Sequence, residues 1–434
     1  MRNLFSSPLK LREAAAATAL CAVCFLSACA TSTQRQHYKV EHLYSTSDPQ
    51  FERTINNLLG PGLRSGNKIT TLRNGDEIFP AMLQAIRSAK RSIDFETYIY
   101  WKGKVGTEFA EALAERARAG VKVHVILDWQ GTHKMDGASK SLMKNAGVVV
   151  VEYNPLAWYR LNLYYSPSRI NNRTHRKLLI VDGRIGFTGG VGIADEWDGH
   201  AQDKKHWRDN HYRVEGPVVA ELQAAFLDNW LRTNGSVLHG NDYFPELAAA
   251  GSYKAQAFKS SVRGGSESAR LMYLMSISSA SKSVRMASAY FVPDKLAIDT
   301  FVEAARRGVK IEIIVPGRHI DQQAVRKSSR NKWPELLKAG IRIFEYQPTM
   351  FHCKYLIVDG VWVSVGSSNF DERSLRLNAE ANLNVLDAQF AAQQTRVFEQ
   401  DKAKSKEITL QALRHEPIWD KILNKAVLPL DPEL

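Results

Sequence analysis

Helix-like and strand-like hydrophobic patterns take turns along this sequence. Residues 109–119 (FAEALAERARA) place apolar side chains at helical spacing, and residues 119–127 (AGVKVHVIL) follow them as a buried strand. The same two patterns return at 301–307 (FVEAARR) and 307–315 (RGVKIEIIV). Because strands that alternate with helices form sheets covered by helices, the pattern predicts an α/β fold.

Two further segments recur in the same order. Residues 146–155 (AGVVVVEYNP) return as 339–348 (AGIRIFEYQP), and residues 175–183 (HRKLLIVDG) return as 352–360 (HCKYLIVDG). Repetition on this scale predicts two similar α/β domains related by a pseudo-twofold axis. We place their boundary in the polar stretch between Thr233 and about Tyr253, which gives domains at 51–245 and 246–434.

The halves differ in one spacing. Twenty residues separate Pro155 from His175, whereas four separate Pro348 from His352. The first half therefore carries 16 extra residues, and these include Trp158, Tyr159, Leu161, Leu163, Tyr164 and Tyr165. Trp and Tyr are favoured at lipid interfaces, so this loop is a candidate membrane-facing lip. The alternative is that its aromatic rings pack over the seam between the domains.

The composition excludes a disordered or fibrous protein. The chain has 434 residues, of which 44% are apolar and 24% charged, as in ordinary globular proteins. Its formal net charge of +13 suggests a polyanionic partner, either nucleic acid or an anionic membrane surface. Composition alone leaves both partners open.

The N-terminal sequence favours a membrane over nucleic acid as the partner. Basic residues within the first twelve precede an uncharged run at 14–26 (AAAATALCAVCFL), which is too short to span a bilayer. The run ends in LSAC at 26–29, similar to the lipobox of bacterial lipoproteins. This predicts a lipoprotein signal peptide at 1–28, acylation of Cys29 and a flexible tether at 29–50. A plain secretory signal cut near Ala28 or Ala30 is the alternative.

Export would place the protein in the bacterial cell envelope, lipid-anchored and facing the periplasm. Ala30 rather than Asp after the lipidated cysteine favours the outer membrane, and the inner membrane stays open. Of the four cysteines, only Cys353 would remain free after processing and acylation, so no intramolecular disulfide is expected.

One motif carries the chemistry, and each half contains it. Residues two apart on a strand point to the same face, so a His-x-Lys strand presents both side chains together, and an Asp five residues later lies at the strand's far end. A single copy is a weak signal, because basic strand residues can simply face solvent. Two copies inside a repeated framework predict a site built from His175, Lys177, Asp182, His352, Lys354 and Asp359.

These motifs and their surroundings resemble the phospholipase D superfamily, whose two HxKxxxxD motifs meet at one active site. The segments at 92–101, 172–197, 207–219, 366–385 and 413–423 are similar to the bacterial cardiolipin synthase pattern, and the resemblance covers about 67–434. It implies two phospholipase D-like domains, each a mixed sheet flanked by helices. It also implies catalysis through a phosphohistidine, and we expect neither a metal nor a cofactor.

The resemblance also implies roles for single residues. His175 attacks phosphorus, while His352 protonates the departing alkoxide and then deprotonates the incoming hydroxyl; the pseudo-symmetry alone does not fix which histidine does which. The family carries a carboxylate about thirty residues beyond each motif to hold a histidine nitrogen, and Asp209 and Glu380 match those positions. We expect Asp182 and Asp359 to hold the Lys and the turn.

The phosphate should meet hydrogen-bond donors from both motif lysines and from the turn after each motif. That turn is Gly366-Ser-Ser-Asn369 in the second half, but Gly189-Gly-Val-Gly192 in the first, so Gly192 stands where the family has Asn. The predicted phosphate-binding residues of the turns are Gly190, Ser367 and Asn369. Backbone N–H groups of the Gly-rich turn could compensate for the missing side chain.

The acceptor alcohol separates the candidate functions. With water the product is phosphatidic acid, as in a phospholipase D; with the glycerol hydroxyl of a second phosphatidylglycerol it is cardiolipin, which the flanking motifs favour. A nuclease would use the same chemistry, but the lipidation signal and the two-copy chain favour a phospholipid membrane over nucleic acid. A non-catalytic envelope lipoprotein is the alternative of another class, and the complete His-Lys-Asp sets argue against it. The oligomeric state stays open.

Overall fold

The computed structural model describes residues 39–155, 171–261 and 268–414. The predicted signal peptide, Cys29 and the aromatic segment 156–170 lie outside the described residues. Within the described part, fifteen strands form one continuous mixed sheet. No helix among the described residues is long and apolar enough to cross a bilayer.

The first half contributes seven strands and four helices. In chain order these are β1 (Arg64–Arg73), α2 (Asn74–Ser88), β2 (Ser92–Thr97), α3 (Lys104–Arg118), β3 (Lys122–Asp128), α4 (Gly137–Asn145), β4 (Val149–Tyr153), β5 (Leu178–Val181), β6 (Ile185–Gly189), β7 (Asn210–Glu215) and α5 (Val219–Thr233). Strands β2, β3 and β4 are parallel, whereas β1, β7, β6 and β5 are joined antiparallel.

The second half repeats this order with one extra strand at its edge. Its elements are β8 (Tyr253–Ser260), α6 (Ser268–Ser278), β9 (Ser283–Ala287), α7 (Lys295–Arg306), β10 (Lys310–Pro316), α8 (Gln323–Lys338), β11 (Arg342–Tyr346), β12 (Tyr355–Val358), β13 (Trp362–Gly366), β14 (Glu380–Leu386), α9 (Ala388–Lys402), β15 (Ser405–Ile408) and α10 (Leu410–Arg414). The repeated segments thus form matching strands, which confirms the predicted mixed α/β repeat.

The two half-sheets meet at one antiparallel strand pair. Strand β1 pairs with β8 through Arg64 opposite Ala255 and Asn67 opposite Tyr253. Outward from this pair, the strand order is β1-β7-β6-β5-β2-β3-β4 in the first half and β8-β14-β13-β12-β9-β10-β11 in the second. The two halves thus correspond strand for strand. An antiparallel pair at the centre is what a twofold relation requires. The predicted pair of sheets is therefore joined into one.

The segment before β1 packs on the second half. Helix α1 (Pro49–Leu58) begins at Asp48, whose side chain caps it, and buries Phe51 against Trp362 with ring centroids 5.1 Å apart. Upstream, the Thr46 hydroxyl donates to Asp359 at 2.9 Å. The expected tether at 29–50 is thus anchored from about Val40 onward, and residues 51–59 belong with the second core rather than the first.

Three hydrophobic clusters support the sheet. One is centred in the first half around Phe95 and Phe109 and also includes Met350 of the second half, and another is centred in the second half around Phe301 and Trp362. The third joins the halves: α5 and α9 cover it, and it includes residues from both, such as Tyr212 against Phe390 with centroids 6.4 Å apart. This shared core fixes how the halves dock and thereby positions the site between them.

Candidate active site

Each motif enters the site as extended backbone paired with the opposite half. The His175 N–H donates to the Ala379 carbonyl at 2.9 Å, and the His352 N–H donates to the Arg208 carbonyl at 2.8 Å. Ala379 and Arg208 immediately precede Glu380 and Asp209. Each backbone bond therefore brings one half's histidine to the other half's carboxylate.

The side chains complete this crossed pairing. His175 Nδ1 lies 2.9 Å from Glu380 Oε1 and 3.1 Å from Oε2, and His352 Nδ1 lies 2.7 Å from Asp209 Oδ2. Both carboxylates are fully buried. A neutral imidazole that donates its Nδ1–H to the carboxylate keeps a lone pair on Nε2. The spacing along the chain suggested an acid for each motif, and it carried no signal that the pairs cross between halves.

The motif lysines lie beside the histidines, as strand alternation predicted. Lys177 Nζ donates to the His175 carbonyl at 2.7 Å, and Lys354 Nζ donates to the His352 carbonyl. Both lysines are buried. Cys353, between His352 and Lys354, is buried in the shared core on the opposite side of the strand.

Burial sets the protonation states. It lowers the pKa of His175 to about 4, although Glu380 opposes the shift, and it lowers the pKa of His352 to about 3 with Lys354 acting in the same direction. Burial opposes ionisation of Asp209 and Glu380, but the adjacent histidine and lysine lower the pKa of each carboxyl below its usual value. At neutral pH the site therefore holds two carboxylates and two neutral imidazoles.

A family model described as "Cardiolipin synthase, PLD-like domain" matches residues 82–207 and 273–402. The matched ranges include both motifs and Glu380, and the first range ends two residues before Asp209. The chain belongs to the phospholipase D superfamily.

Curated relatives and solved structures agree with this membership. A cardiolipin synthase 2 of Bacillus anthracis is 33% identical over 368 residues, covering 84% of this chain and 70% of that protein. The probable cardiolipin synthase YwiE of Bacillus subtilis (strain 168) is 33% identical over 350 residues, covering 80% of this chain and 68% of that protein. The phosphatidylserine synthase of Haemophilus influenzae Rd KW20 superposes with a TM-score of 0.65 at 15% identity, covering 89% of this chain and all of that one, which supports the fold.

The motif aspartates of this phospholipase D-type chain do not reach the reacting groups. Asp182 accepts three backbone N–H groups at 90–92, and Asp359 accepts three at 281–283. Both have φ near +53°, at the turn that ends the strand. The four residues of strand β5 or β12 lie between each aspartate and its lysine, which are five residue steps and thus roughly 17 Å apart along the extended chain. Both aspartates hold the turn, as expected, and among the described residues neither is hydrogen bonded to its lysine; their catalytic role stays a prediction.

At two of the predicted phosphate-binding positions, the backbone N–H is hydrogen bonded within the protein. The Ser367 hydroxyl donates to Glu380 Oε2 and its N–H donates to the Ala381 carbonyl, so neither is free for phosphate. The Gly190 N–H donates to the Asn210 carbonyl, and a Cβ on Gly190 would lie 2.3 Å from Asp209 Oδ1. Both positions had been assigned from the sequence pattern of the turn, which does not show where its donors point.

Asn369 keeps its predicted role as a proposal. Its side chain is buried, and its Oδ1 has no hydrogen-bond partner among the described residues. Gly192, at the matching position of the first half, has no space for a side chain: a Cβ there would lie 2.7 Å from Ile99 Cβ. The packing of Ile99 against position 192 therefore excludes an asparagine in the first half at the position that matches Asn369.

Aromatic residues that the motif analysis missed surround the histidines. Tyr98 lies edge-on to His175 with centroids 5.2 Å apart, and its ring lies 5.5 Å from Lys177 Nζ. Trp197 and Trp207 lie 5.3 and 5.5 Å from His352. The only sequence signal for them was their position next to the motif and acid segments.

Further acids lie close to the site. The Tyr290 hydroxyl donates to Asp321 at 2.7 Å, and burial raises the pKa of Asp371 to about 7. No group of three or more His, Cys, Asp or Glu that could hold a metal ion occurs within the described part of the chain. Independence from metals stays a prediction.

Proposed function

We propose that this protein is a cardiolipin synthase-type phosphatidyltransferase that joins two phosphatidylglycerol molecules and releases glycerol. Membership of the family and the cardiolipin synthase relatives at about one-third identity support this function. The observation that carries the mechanism is the crossed pair His175–Glu380 and His352–Asp209, which places two neutral imidazoles and two lysines at one buried site.

In the first step, His175 Nε2 attacks the phosphorus of the donor lipid. A nitrogen–phosphorus bond forms, and the bond from phosphorus to the glycerol head group breaks. His352 takes up a proton at Nε2 when the anionic phosphodiester binds, and it gives that proton to the departing glycerol alkoxide, so glycerol leaves and a phosphatidyl-histidine remains. Glu380 stabilises the positive charge that develops on His175, because its carboxylate accepts the Nδ1–H.

In the second step, the head-group hydroxyl of another phosphatidylglycerol gives its proton to His352. The resulting oxygen nucleophile attacks the phosphatidyl phosphorus, the nitrogen–phosphorus bond breaks, and cardiolipin is released. Lys177 and Lys354 stabilise charge on the non-bridging oxygens throughout both steps. Binding of the anionic phosphodiester raises the pKa of His352 toward the range that an acid requires.

The alternative acceptor is water, which would make the protein a phospholipase D. Purified protein incubated with labelled phosphatidylglycerol tests the choice. We expect labelled cardiolipin and free glycerol, and added glycerol should suppress cardiolipin by returning the phosphatidyl group to phosphatidylglycerol. Phosphatidic acid as the main product, unaffected by glycerol, would favour the hydrolase.

We propose a location at an envelope membrane, because the proposed substrates are membrane lipids and because the N-terminal sequence resembles a lipoprotein signal. Acylation of Cys29 would tether the protein to the periplasmic face of an envelope membrane. We propose that the two domains meet within 234–252, between the end of α5 at Thr233 and the start of β8 at Tyr253. The active site uses residues from both.

A further inference from the structure

We propose that Trp197 is a positioning residue for the Asp209–His352 pair and that it does in the first half what Ser367 does in the second. The inference rests on the proposed function, in which His352 is the proton donor to the leaving group. It assigns a role to a side chain outside both motifs.

The two halves hold their carboxylates differently. In the second half, the turn after the motif strand supplies Ser367, whose hydroxyl donates to Glu380 Oε2. In the first half the matching residue is Gly190, and a Cβ there would lie 2.3 Å from Asp209 Oδ1. No side chain at position 190 can therefore act as a second donor to Asp209.

Trp197 supplies a side-chain donor from a different direction, in addition to the Asn210 N–H, which donates to Asp209 Oδ1 at 2.8 Å. Its indole Nε1–H donates to Asp209 Oδ2 at 3.0 Å, and the same oxygen lies 2.7 Å from His352 Nδ1. The Trp197 ring is fully buried and meets the His352 ring nearly edge-on, at 76°. One side chain thus contacts both members of the pair.

Gly192 makes room for this arrangement. Position 192 corresponds to Asn369 in the second half, and a Cβ on Gly192 would lie 3.2 Å from Trp197 Cη2 and 2.7 Å from Ile99 Cβ. An asparagine there would press on both side chains. The glycine at 192 and the position of the tryptophan ring are therefore sterically linked.

The hydrogen bond from Trp197 to Asp209 predicts a specific kinetic defect when it is removed. A buried neutral donor fixes the orientation of Asp209 and stabilises its charged form. Asp209 in turn orients His352, whereas His175 is held by Glu380. Loss of the indole N–H should therefore impair proton transfer to the leaving group and spare the attack on phosphorus. A group that merely packs would affect both.

The test compares leaving groups. Phosphoenzyme formation is measured by rapid quench with phosphatidylglycerol, whose glycerol alkoxide needs a proton, and with a phosphatidyl nitrophenyl ester, whose phenolate does not. Trp197→Phe keeps the ring and removes the N–H; we expect it to slow labelling by phosphatidylglycerol roughly ten- to a hundredfold and labelling by the ester by less than about threefold.

Two variants serve as references. Ser367→Ala removes the second donor to Glu380 and should slow labelling by both substrates in equal proportion. Trp101→Phe removes an indole N–H that donates to the Gly131 carbonyl at 3.0 Å in the same aromatic cluster, 6.5 Å from the Trp197 ring, and should slow neither. If Trp197→Phe fails to fold, Gly192→Asn provides a second route, because it should displace Trp197 and give the same dependence on the leaving group.

The outcomes separate the two hypotheses. The positioning role would be overturned if Trp197→Phe slowed labelling by both substrates equally, or slowed neither, while Ser367→Ala also showed no dependence on the leaving group. If the labelling rate depended on the leaving group in Ser367→Ala and not in Trp197→Phe, the assignment of the two histidines in the proposed function would be overturned instead.

Discussion

His175 and Glu380 are 205 residues apart in sequence and hydrogen bonded, with Nδ1 2.9 Å from Oε1. The pair joins a motif of the first half to an acid of the second, and His352 with Asp209 repeats the relation in the opposite direction. Because each histidine depends on the other half, neither half contains a complete catalytic pair. The shared core under α5 and α9 is therefore part of the catalytic machinery, since it sets the docking on which both pairs depend.

The motif aspartates should matter for stability and not for chemistry. Asp182→Ala removes the acceptor of three backbone N–H groups and puts Ala at a φ of 53°. We expect a loss of roughly 2 kcal/mol or more in the free energy of unfolding, measured by denaturant titration. Asp182→Asn, which tolerates positive φ, should lose less. A stable but inactive Asp182→Ala protein would restore the aspartate to the catalytic site.

Phosphoenzyme formation should persist in mildly acidic solution. His175 must be neutral to attack, and burial lowers its pKa to about 4. Its nucleophilic form is therefore present above that pH and is lost only as the pH falls through about 4. With the nitrophenyl ester, which needs no proton donor, the labelling rate measured from pH 8 downward should show its acidic limb near 4. A limb near the ordinary histidine value of about 6.5 would contradict the described burial.

The segment before β1 should contribute to the stability of the second half. Phe51→Ala removes a fully buried ring packed on Trp362, which should cost about 3 to 5 kcal/mol. Leu58→Ala in the same helix is the matched control, because Leu58 is 51% exposed; its effect should stay within about 0.5 kcal/mol. Thermal unfolding measures both. Equal, small effects would mean that α1 behaves as part of the tether.

Anchoring should depend on one cysteine. Cys29→Ala should abolish fatty-acid labelling in cells and leave the N-terminal signal uncleaved at that position. The acyl chains would contribute about 0.8 kcal/mol per buried CH₂, so two or more chains retain the protein without help from its positive charge. Mature wild-type protein that carries no acyl chain, examined by mass spectrometry, would favour a plain secretory signal.

The sequence patterns predicted those features of the site that depend on local backbone geometry. The repeat at 175–183 and 352–360 was sufficient to predict strands β5 and β12, and to predict His and Lys on one side of the extended segment that enters each strand, because side-chain alternation is a property of extended chain. The spacing of the acids could not show that they cross, since that depends on how two complete halves dock. The turn pattern likewise gave no orientation for Ser367, whose hydroxyl faces Glu380 instead of substrate.

The crossed pairing and the choice of His175 as nucleophile are tested most directly by locating and timing the covalent intermediate. Phosphoenzyme formed from phosphatidyl nitrophenyl ester is quenched, digested and mapped in the wild type, Glu380→Gln and Asp209→Asn. We expect the label on His175, formation slowed roughly a hundredfold or more in Glu380→Gln, and near-normal formation with slow turnover in Asp209→Asn. A label on His352, or slow formation in Asp209→Asn and not in Glu380→Gln, would contradict this account.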